Sequence, residues 1–250
     1  IWCAPIWTDN EGNEMVDSMD GAALGGLRLV DVDRNLYRNI VSLGHSQDLF
    51  NDLSNDPADW DAAIRLEASH KPQHYESSEP IIDRPFEEAE FNSAIQYPFE
   101  HWSHSRFSQG RYGVWYGSET LETTIHESVH HWRHGLLADA GWQSLEGVAV
   151  ERRVHLVHCH AALIDLRPQA QAWPALTADD PASCQALGER LHREGHPGLW
   201  TPSARCRGTN AAVFTPRVLS KPQTHCYLTY RLQGDRVLVE REPGITMMTL

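Results

Sequence analysis

Three side chains of complementary chemistry stand at even intervals between residues 106 and 127. Arg106 precedes Tyr116 by ten residues, and Tyr116 precedes Glu127 by eleven. An arginine fork holds a diphosphate through paired charge-assisted bonds, and a tyrosine face stacks on a flat ring. A glutamate beside a sugar stabilises the oxocarbenium-like charge that develops as a glycosidic bond breaks. The trio therefore suits a phosphate-bearing substrate with a flat ring and a sugar that loses its leaving group.

The same residues have two other interpretations. In the first, they have no shared function: the arginine is a surface residue, the tyrosine a core residue and the glutamate a solvated helix residue. Short motifs often match by chance. In addition, residues 126–130 spell His-Glu-x-x-His, with two histidines one helical turn apart and Glu127 placed to act as the base for a zinc-bound water. The metzincin extension is absent, so Glu146 or Glu151 would be the third ligand. A zinc-dependent peptidase is the alternative function.

Further downstream, Ser203 follows a short apolar segment and a proline. Its hydroxyl is able to donate to a ligand carbonyl or phosphate, although serine in this context is also a common turn residue. Residues 155–160 contain three histidines, which we interpret as surface residues. Cys184 and Cys206 have no activating pair nearby in the sequence, and we interpret them as buried thiols rather than nucleophiles.

The composition is typical of a globular protein that works in a reducing compartment. The chain has 250 residues, of which 41% are apolar, and a formal net charge of −13. A charge of this sign argues against a nucleic-acid-tracking surface. Five widely spaced cysteines without a CxxC pair indicate reduced thiols. No signal-peptide pattern and no apolar run of about 18 residues is present, so we expect a cytoplasmic protein with no membrane partner.

The elements that must position these residues form one α+β pattern. Apolar residues at helical spacing predict a helix over residues 120–134, and cap and stop residues predict another over 182–194. Strands are predicted at 36–42, 111–116, 147–158, 162–166, 199–201 and 211–214, and a hairpin over 225–240 that turns at Gly234-Asp235. We also expect a short helix after Ser46, a helix starting at Asp56-Pro57, and connecting loops around one short helix at most over 71–105. We expect a single domain at 36–240, preceded by a loosely structured lead-in at 1–35 and followed by a tail at 241–250.

Three segments together resemble the RES domain, the toxin of bacterial RES–Xre toxin–antitoxin systems. They are SRFSQGRYGVWYGSETLETTIHESVHH, QALGERLHREGHPGLWTPSARCRGTNAAVFTPR and CYLTYRLQGDRV, and the likeness spans about residues 36–237. The arginine, glutamate and serine that name the family fall on Arg106, Glu127 and Ser203, and Tyr116 matches the family's pocket tyrosine. The loop before Tyr116 departs from the more frequent W-N-x-x-G form, which makes Arg111 a second candidate for phosphate binding.

The resemblance implies an ADP-ribosyltransferase-like split β-sheet with flanking helices and an activity that consumes NAD+ as a substrate, without a resident cofactor or metal. In this interpretation Arg106 binds the phosphates, Tyr116 stacks on the nicotinamide, Glu127 stabilises the ribosyl cation and Ser203 binds the nicotinamide ribose side. Members of the family transfer ADP-ribose to water, phosphate or a protein, and an Xre-type antitoxin usually covers the active site. A third hypothesis is a module that binds a nucleotide without turning it over.

Overall fold

The structure, a computed structural model, describes residues 27–42, 92–139, 141 and 146–250. The helices predicted after Ser46 and from Asp56 lie outside the described residues. Ten strands are described: β1 (Arg28–Val41), β2 (His104–Ser105), β3 (Ser108–Gln109), β4 (Trp115–Ser118), β5 (Ala149–Asp165), β6 (Gly198–Pro202), β7 (Thr209–Val213), β8 (Leu219–Gln233), β9 (Arg236–Glu242) and β10 (Ile245–Thr249).

Eight of these strands form one mixed sheet in the order β1-β4-β7-β6-β5-β8-β9-β10. β1 also pairs with β5 along its whole length, from Arg28 opposite Asp165 to Val41 opposite Arg152. The strands β1, β4, β7, β6 and β5 therefore close into a ring, and β8, β9 and β10 extend the sheet from the other edge of β5. Among the described strands, only β5 and β6 pair in parallel, over two residue pairs. β2 and β3 form a separate small hairpin.

The described part of the chain contains four α-helical segments: α1 (Tyr97–Glu100), α2 (Leu121–His131), α3 (Leu137–Asp139) and α4 (Ala182–Arg193). A π-helical turn at Asn92–Gln96 leads into α1, and a second one at Trp132–Leu136 joins α2 to α3. Short 3₁₀ turns occur at Arg167–Gln169, Pro174–Leu176 and Pro216–Val218. Among the described residues no helix is long and apolar enough to span a membrane.

The described residues form a core of three packed clusters. The first lies at the centre of the ring, because every ring strand contributes a buried residue to it, including Trp115 and Trp200. Alternate residues of β6 and β7 face the other way and pack against the apolar side of α4. The apolar side of α2 packs against β8 and β9, where Ile125 and Tyr230 have no exposed surface. Burying an aliphatic side chain of this size contributes about 1.5–3 kcal/mol to stability. The buried residues of α2 and α4 therefore fix which side of each helix faces the sheet.

The single mixed α+β domain predicted from the sequence is confirmed, as is the hairpin turn at Gly234-Asp235. The helix predicted at 182–194 is observed as α4, Ala182–Arg193. The bounds predicted for four segments were wrong. The strand predicted at 36–42 begins at Arg28, inside the expected lead-in, because its polar residues face outward while its backbone pairs with β5. The strands predicted at 147–158 and 162–166 are one strand, β5. The expected tail contains β10, which pairs with β9.

The strand predicted at 111–116 is also displaced, since β4 covers Trp115–Ser118. The residues before it are held in a turn, where the Ser108 hydroxyl donates to the Tyr112 carbonyl at 2.9 Å. A side chain at Gly113 would lie 2.2 Å from the Pro98 carbonyl oxygen. This close contact fixes the loop against α1 and prevents it from extending the strand.

Candidate active site

Helix α2 places Glu127 on the side of the helix opposite to its apolar face. Thr120 caps the helix, since its hydroxyl accepts a hydrogen bond from the Thr123 amide at 3.1 Å. Ile125 and Val129 are buried against the sheet extension, and Glu127 remains partly exposed. The packing of the apolar face therefore determines the direction of the carboxylate.

One oxygen of the Glu127 carboxylate is held by two donors from outside the helix. The Ser203 hydroxyl donates to Oε1 at 2.6 Å, and the Asn210 amide donates to the same oxygen at 2.8 Å. Among the described residues no hydrogen bond reaches Oε2, so that oxygen is available to a ligand. Charge-assisted bonds of this length are stronger than neutral ones and fix the carboxylate before a substrate arrives.

The Ser203 hydroxyl is itself oriented by the backbone that follows it. Its Oγ accepts hydrogen bonds from the amides of Arg205 and Cys206, at 3.0 and 3.2 Å. The hydroxyl proton is thereby directed at Glu127. Ser203 is only 5% exposed and lies behind the carboxylate. Its predicted contact with the ribose stays a prediction, because the hydroxyl is engaged by Glu127 in this structure.

Asn210 is a site residue to which the sequence argument assigned no role. It lies on β7 directly opposite Ser118 of β4, and the Ser118 hydroxyl donates to its Oδ1 at 2.7 Å. This bond turns the Asn210 NH₂ group toward Glu127. In the sequence, Asn210 is visible only as a polar residue just before the apolar segment Ala211–Phe214. Its contact with Ser118 depends on which strands pair, and the sequence does not show this.

Gly208 allows the loop between β6 and β7 to reach helix α2. A Cβ atom at this position would lie 2.1 Å from Oγ1 of Thr123. The loop is closed by the Ser203 amide, which donates to the Gly208 carbonyl at 2.8 Å. The close approach of the backbone to the first turns of α2 brings Ser203 within hydrogen-bond distance of Glu127.

Tyr116 and Arg106 contribute to the same cleft. The Tyr116 hydroxyl donates to Ser105 Oγ at 3.0 Å and accepts from the Phe107 amide at 3.1 Å. Burial raises the pKa of Tyr116 to about 12, so the phenol is neutral at physiological pH. Arg106 donates through Nη1 to the Ala178 carbonyl at 2.7 Å. That contact anchors the guanidinium group without neutralising its charge.

Arg106, Tyr116 and Glu127 line one cleft of about 480 Å³, which is within the usual range for a ligand site. The structure thus brings together Arg106, Tyr116 and Glu127, and Ser203 contacts Glu127 from outside the residues that line the cleft. It does not bring Arg111 there. That side chain is exposed and forms an ion pair with Glu189 at 3.0 Å, outside the residues that line the cleft.

The cleft is also lined by charged residues that the sequence analysis did not select. They include Arg38 of β1, Arg152 of β5 and Arg205. Arg205 forms an ion pair with Asp179 at 2.7 Å. His130 also lines the cleft, and its pKa is lowered from 6.5, first by burial and then by the nearby positive charge of Arg205. The cleft is therefore cationic although the chain as a whole is acidic.

The His-Glu-x-x-His residues do not form a metal site within the described part of the chain. No group of three or more His, Cys, Asp and Glu side chains there is arranged to hold a metal ion. His126 Nε2 lies 4.0 Å from Oε1 of Glu122, one turn earlier on the same helix. Glu146 accepts a hydrogen bond from the turn between β8 and β9, and Glu151 is exposed on β5. The zinc-peptidase alternative is not supported.

Comparisons with known proteins identify the family. The family model described as the RES domain matches residues 80–233. A solved structure described as the crystal structure of the M. tuberculosis MbcT-MbcA toxin-antitoxin complex is similar over 86% of this chain and 93% of that chain, with 15% identity and a TM-score of 0.42. That likeness is too distant to carry an argument. No curated protein matches the sequence significantly. The family model covers more than half of the chain, and the chain therefore belongs to the RES domain family.

Proposed function

We propose that this protein cleaves the bond between nicotinamide and ribose in NAD+. The observation that carries the proposal is the Glu127 carboxylate, held on Oε1 by Ser203 and Asn210 and open on Oε2, in a cleft shared with Arg106 and Tyr116. A fixed carboxylate with one open oxygen is suited to binding a ribose hydroxyl. Membership of the RES domain family supports the same reaction class, because the resemblance described above implies NAD+ as the substrate.

The proposed chemistry depends on electrostatic stabilisation. As the bond to C1 of the ribose breaks, its electron pair moves to the nicotinamide nitrogen, which becomes neutral, and positive charge develops on the sugar. The Glu127 carboxylate stabilises that charge, and it needs no reorganisation because Ser203 and Asn210 already hold it. Tyr116 supplies a neutral ring for stacking, and Arg106 supplies a guanidinium group for the diphosphate. The reaction ends with transfer of ADP-ribose to water, phosphate or a protein side chain.

The test is release of nicotinamide from NAD+ by the purified protein, with and without added phosphate. Glu127→Gln keeps the size of the side chain and removes its charge, and we expect the rate to fall by about 10²–10³ or more. Glu122→Gln is the matched control, because Glu122 is on the same helix with a side chain that is 71% exposed. The absence of nicotinamide release under both conditions would contradict the proposal.

Thermal unfolding with NAD+ separates catalysis from simple binding. Stabilisation by NAD+ without any product would indicate a nucleotide-binding module. Mass spectrometry of the ribose product identifies the acceptor, since ADP-ribose, its phosphate ester and a modified protein differ in mass.

We also propose that the protein is the toxin of a toxin–antitoxin pair and that an Xre-type antitoxin covers the cleft. The support is the RES domain family together with the open, cationic cleft. Expression of the chain is expected to arrest growth, and co-expression of an Xre-type protein encoded beside it is expected to restore growth. Arrest that persists unchanged with Glu127→Gln would argue against an enzymatic toxin.

A further inference from the structure

The side chain of Gln185 joins helix α4 to the turn that carries Arg106. Ser105 of β2 is paired with Ser108 of β3, so Arg106 and Phe107 form the turn of the β2–β3 hairpin. Gln185 donates through Nε2 to the Ser105 carbonyl at 2.9 Å and to the Ser108 carbonyl at 3.4 Å. Two carbonyl acceptors match the two hydrogens of the amide group. Gln185 therefore holds both residues that flank the turn.

The turn also lies against the backbone of the same helix. Phe107 has no exposed surface, and its carbonyl accepts a hydrogen bond from the Tyr112 hydroxyl. A Cβ atom at Gly188, three residues after Gln185, would lie 2.2 Å from that carbonyl oxygen. The absence of a side chain at Gly188 lets the helix approach the hairpin closely enough for Gln185 to reach it.

The position of this turn determines the contacts of Tyr116. The Tyr116 hydroxyl donates to Ser105 Oγ at 3.0 Å and accepts from the Phe107 amide at 3.1 Å. Both partners belong to the hairpin that Gln185 holds, whereas the backbone of Tyr116 is held by strand pairing between β4 and β7. A displaced hairpin would therefore break the contacts at the hydroxyl end of Tyr116.

The guanidinium group of Arg106 is held from the same direction. Its Nη1 donates to the carbonyls of Leu176 and Ala178, at 3.3 and 2.7 Å, and both residues lie in the segment that leads into α4. The backbone of Arg106 is thus tied to α4 through Gln185, and its guanidinium end is tied to the preceding segment. Movement of the hairpin away from α4 would pull the guanidinium group out of these contacts.

We propose that Gln185 is a positioning residue of the active site, which sets the place of Arg106 and, through it, the affinity for the diphosphate of the substrate. Gln185 is not among the residues that line the cleft, so it acts through the hairpin rather than by touching the substrate. This inference rests on the proposed function, which assigns the diphosphate to Arg106.

Isothermal titration calorimetry with ADP tests the role of Gln185 without catalysis, because ADP carries a diphosphate but no nicotinamide. Gln185→Met has a similar length and no donor, and we expect it to weaken ADP binding to the full chain about tenfold through the loss of its two bonds to the hairpin. Glu194→Gln is the control. Glu194 pairs with Arg190 at the other end of α4, and its loss should leave ADP binding unchanged.

A double-mutant cycle shows whether Gln185 acts through Arg106. In the Arg106→Gln background, Gln185→Met should have little further effect on ADP binding, because no guanidinium group is left to misplace. The full tenfold loss in both backgrounds would overturn the inference. Unchanged ADP binding in Gln185→Met, or no saturable ADP binding to the unaltered chain, would also overturn it.

Gln185→Glu is the second variant, because it keeps the size of the side chain and replaces the donor by a carboxylate that faces two carbonyls. It should weaken ADP binding at least as much as Gln185→Met. Thermal unfolding accompanies both variants. Failure of both to fold, or a lower unfolding midpoint with unchanged ADP binding, would show that Gln185 supports the fold and does not position Arg106.

Steady-state kinetics with NAD+ give a second readout that a merely structural role would not move. The diphosphate is remote from the bond that breaks, so Gln185→Met should raise KM about tenfold and change kcat by less than about threefold. A fall in kcat at constant KM would contradict the role of Gln185. Absence of nicotinamide release from the unaltered chain would contradict the proposed function instead, and the ADP titrations distinguish the two failures.

Discussion

At the scale of single residues, the candidate site depends on the direction of a short chain of hydrogen bonds. Ser118 donates to Asn210, which donates to Glu127, while two backbone amides donate to Ser203, which also donates to Glu127. Each hydroxyl or amide has its acceptor oxygen occupied, so its remaining donor points toward the carboxylate. This arrangement holds the Glu127 carboxylate in one orientation, which the proposed chemistry requires.

Removing one of the two donors should slow the reaction with little effect on substrate binding. Ser203→Ala deletes the 2.6 Å bond to Glu127, and we expect kcat to fall about 10–100-fold, which corresponds to about 1.5–3 kcal/mol for a bond to a charged group. Steady-state kinetics with NAD+ measure the change. If Ser203 instead bound only the ribose of the substrate, KM would rise and kcat would hardly change.

The two donors should act as a unit, since they share one oxygen. Asn210→Ala alone is expected to resemble Ser203→Ala. The double variant should lose less than the product of the two single effects, because the carboxylate is already free to rotate after the first loss. Strictly multiplicative effects would show that the two residues act independently of each other.

Protonation of His130 should lower stability in mildly acidic solution. Its pKa lies below 6.5 in the folded protein, because burial and the charges of Arg205 and His134 disfavour the imidazolium, against weaker opposing effects of Asp179 and Glu127. The unfolded chain therefore binds more protons in this range, and stability falls as the pH drops below 6.5 toward the folded-state pKa.

Urea unfolding as a function of pH measures this effect. His130→Gln should reduce the acid-side loss of stability, and His131→Gln, an exposed position on the same helix, should not. An identical pH profile for His130→Gln and the unaltered protein would contradict the assignment.

The sequence identified those site residues that lie close together in the chain or match a family pattern. Arg106, Tyr116 and Glu127 are spaced along one loop, strand and helix, and Ser203 is found through the resemblance to the RES domain. Arg38 and Asn210 could not be found in this way. Their roles depend on which strands are neighbours, and strand pairing between distant segments is not encoded in local periodicity.

At the scale of elements, helices were easier to predict than strands. α2 and α4 have apolar faces at helical spacing, and these faces are buried as expected. The strands β1 and β5 are long and carry many polar residues, and one side of β1 is exposed along much of its length. The extent of β1 and β5 is determined by their pairing with each other over 14 residue pairs. The alternation of apolar and polar residues within either segment does not reveal this pairing.

The contact between Gly208 and α2 should control the position of Glu127. Gly208→Ala would place a methyl group 2.1 Å from Thr123 Oγ1, so the loop that carries Ser203 must move away from the helix. We expect nicotinamide release to fall about tenfold or more, because the two bonds to Oε1 would lengthen. Overall stability should fall by about 1–3 kcal/mol from overpacking.

A second substitution tests whether the clash is the cause. Thr123→Ala removes Oγ1 and Cγ2, which are the two nearest atoms to the added methyl group, and leaves only Cβ at 3.0 Å. Combining it with Gly208→Ala should restore much of the activity, and Thr123→Ala alone should change it little. No recovery in the double variant would show that Gly208 acts by another route.

At the scale of the whole molecule, the cleft and the sheet extension are structurally distinct. The cleft is lined by residues of the strand ring, of α2 and of the β2–β3 hairpin. Among the described residues, none of the extension lines the cleft. Tyr230 of β8 contacts two residues that do, since its hydroxyl is hydrogen-bonded to Ser128 and Asn39, each at 2.8 Å. β10 lies two strands beyond that contact and pairs only with β9 among the described strands. The final strand should therefore support stability rather than catalysis.

Deleting residues 245–250 tests this division of roles. The deletion removes β10 and Leu250, whose backbone pairs with Val237 and whose side chain packs on the cluster formed by α2, β8 and β9. Partial burial of Met248 and Leu250 corresponds to about 1–3 kcal/mol, so we expect a lower midpoint in urea unfolding. Nicotinamide release per folded molecule at low temperature should stay within about twofold of the full chain, which is about 0.4 kcal/mol in the barrier. Loss of activity in a truncated chain that remains folded would show that the extension positions α2, and with it Glu127, more directly than the contacts of β10 indicate.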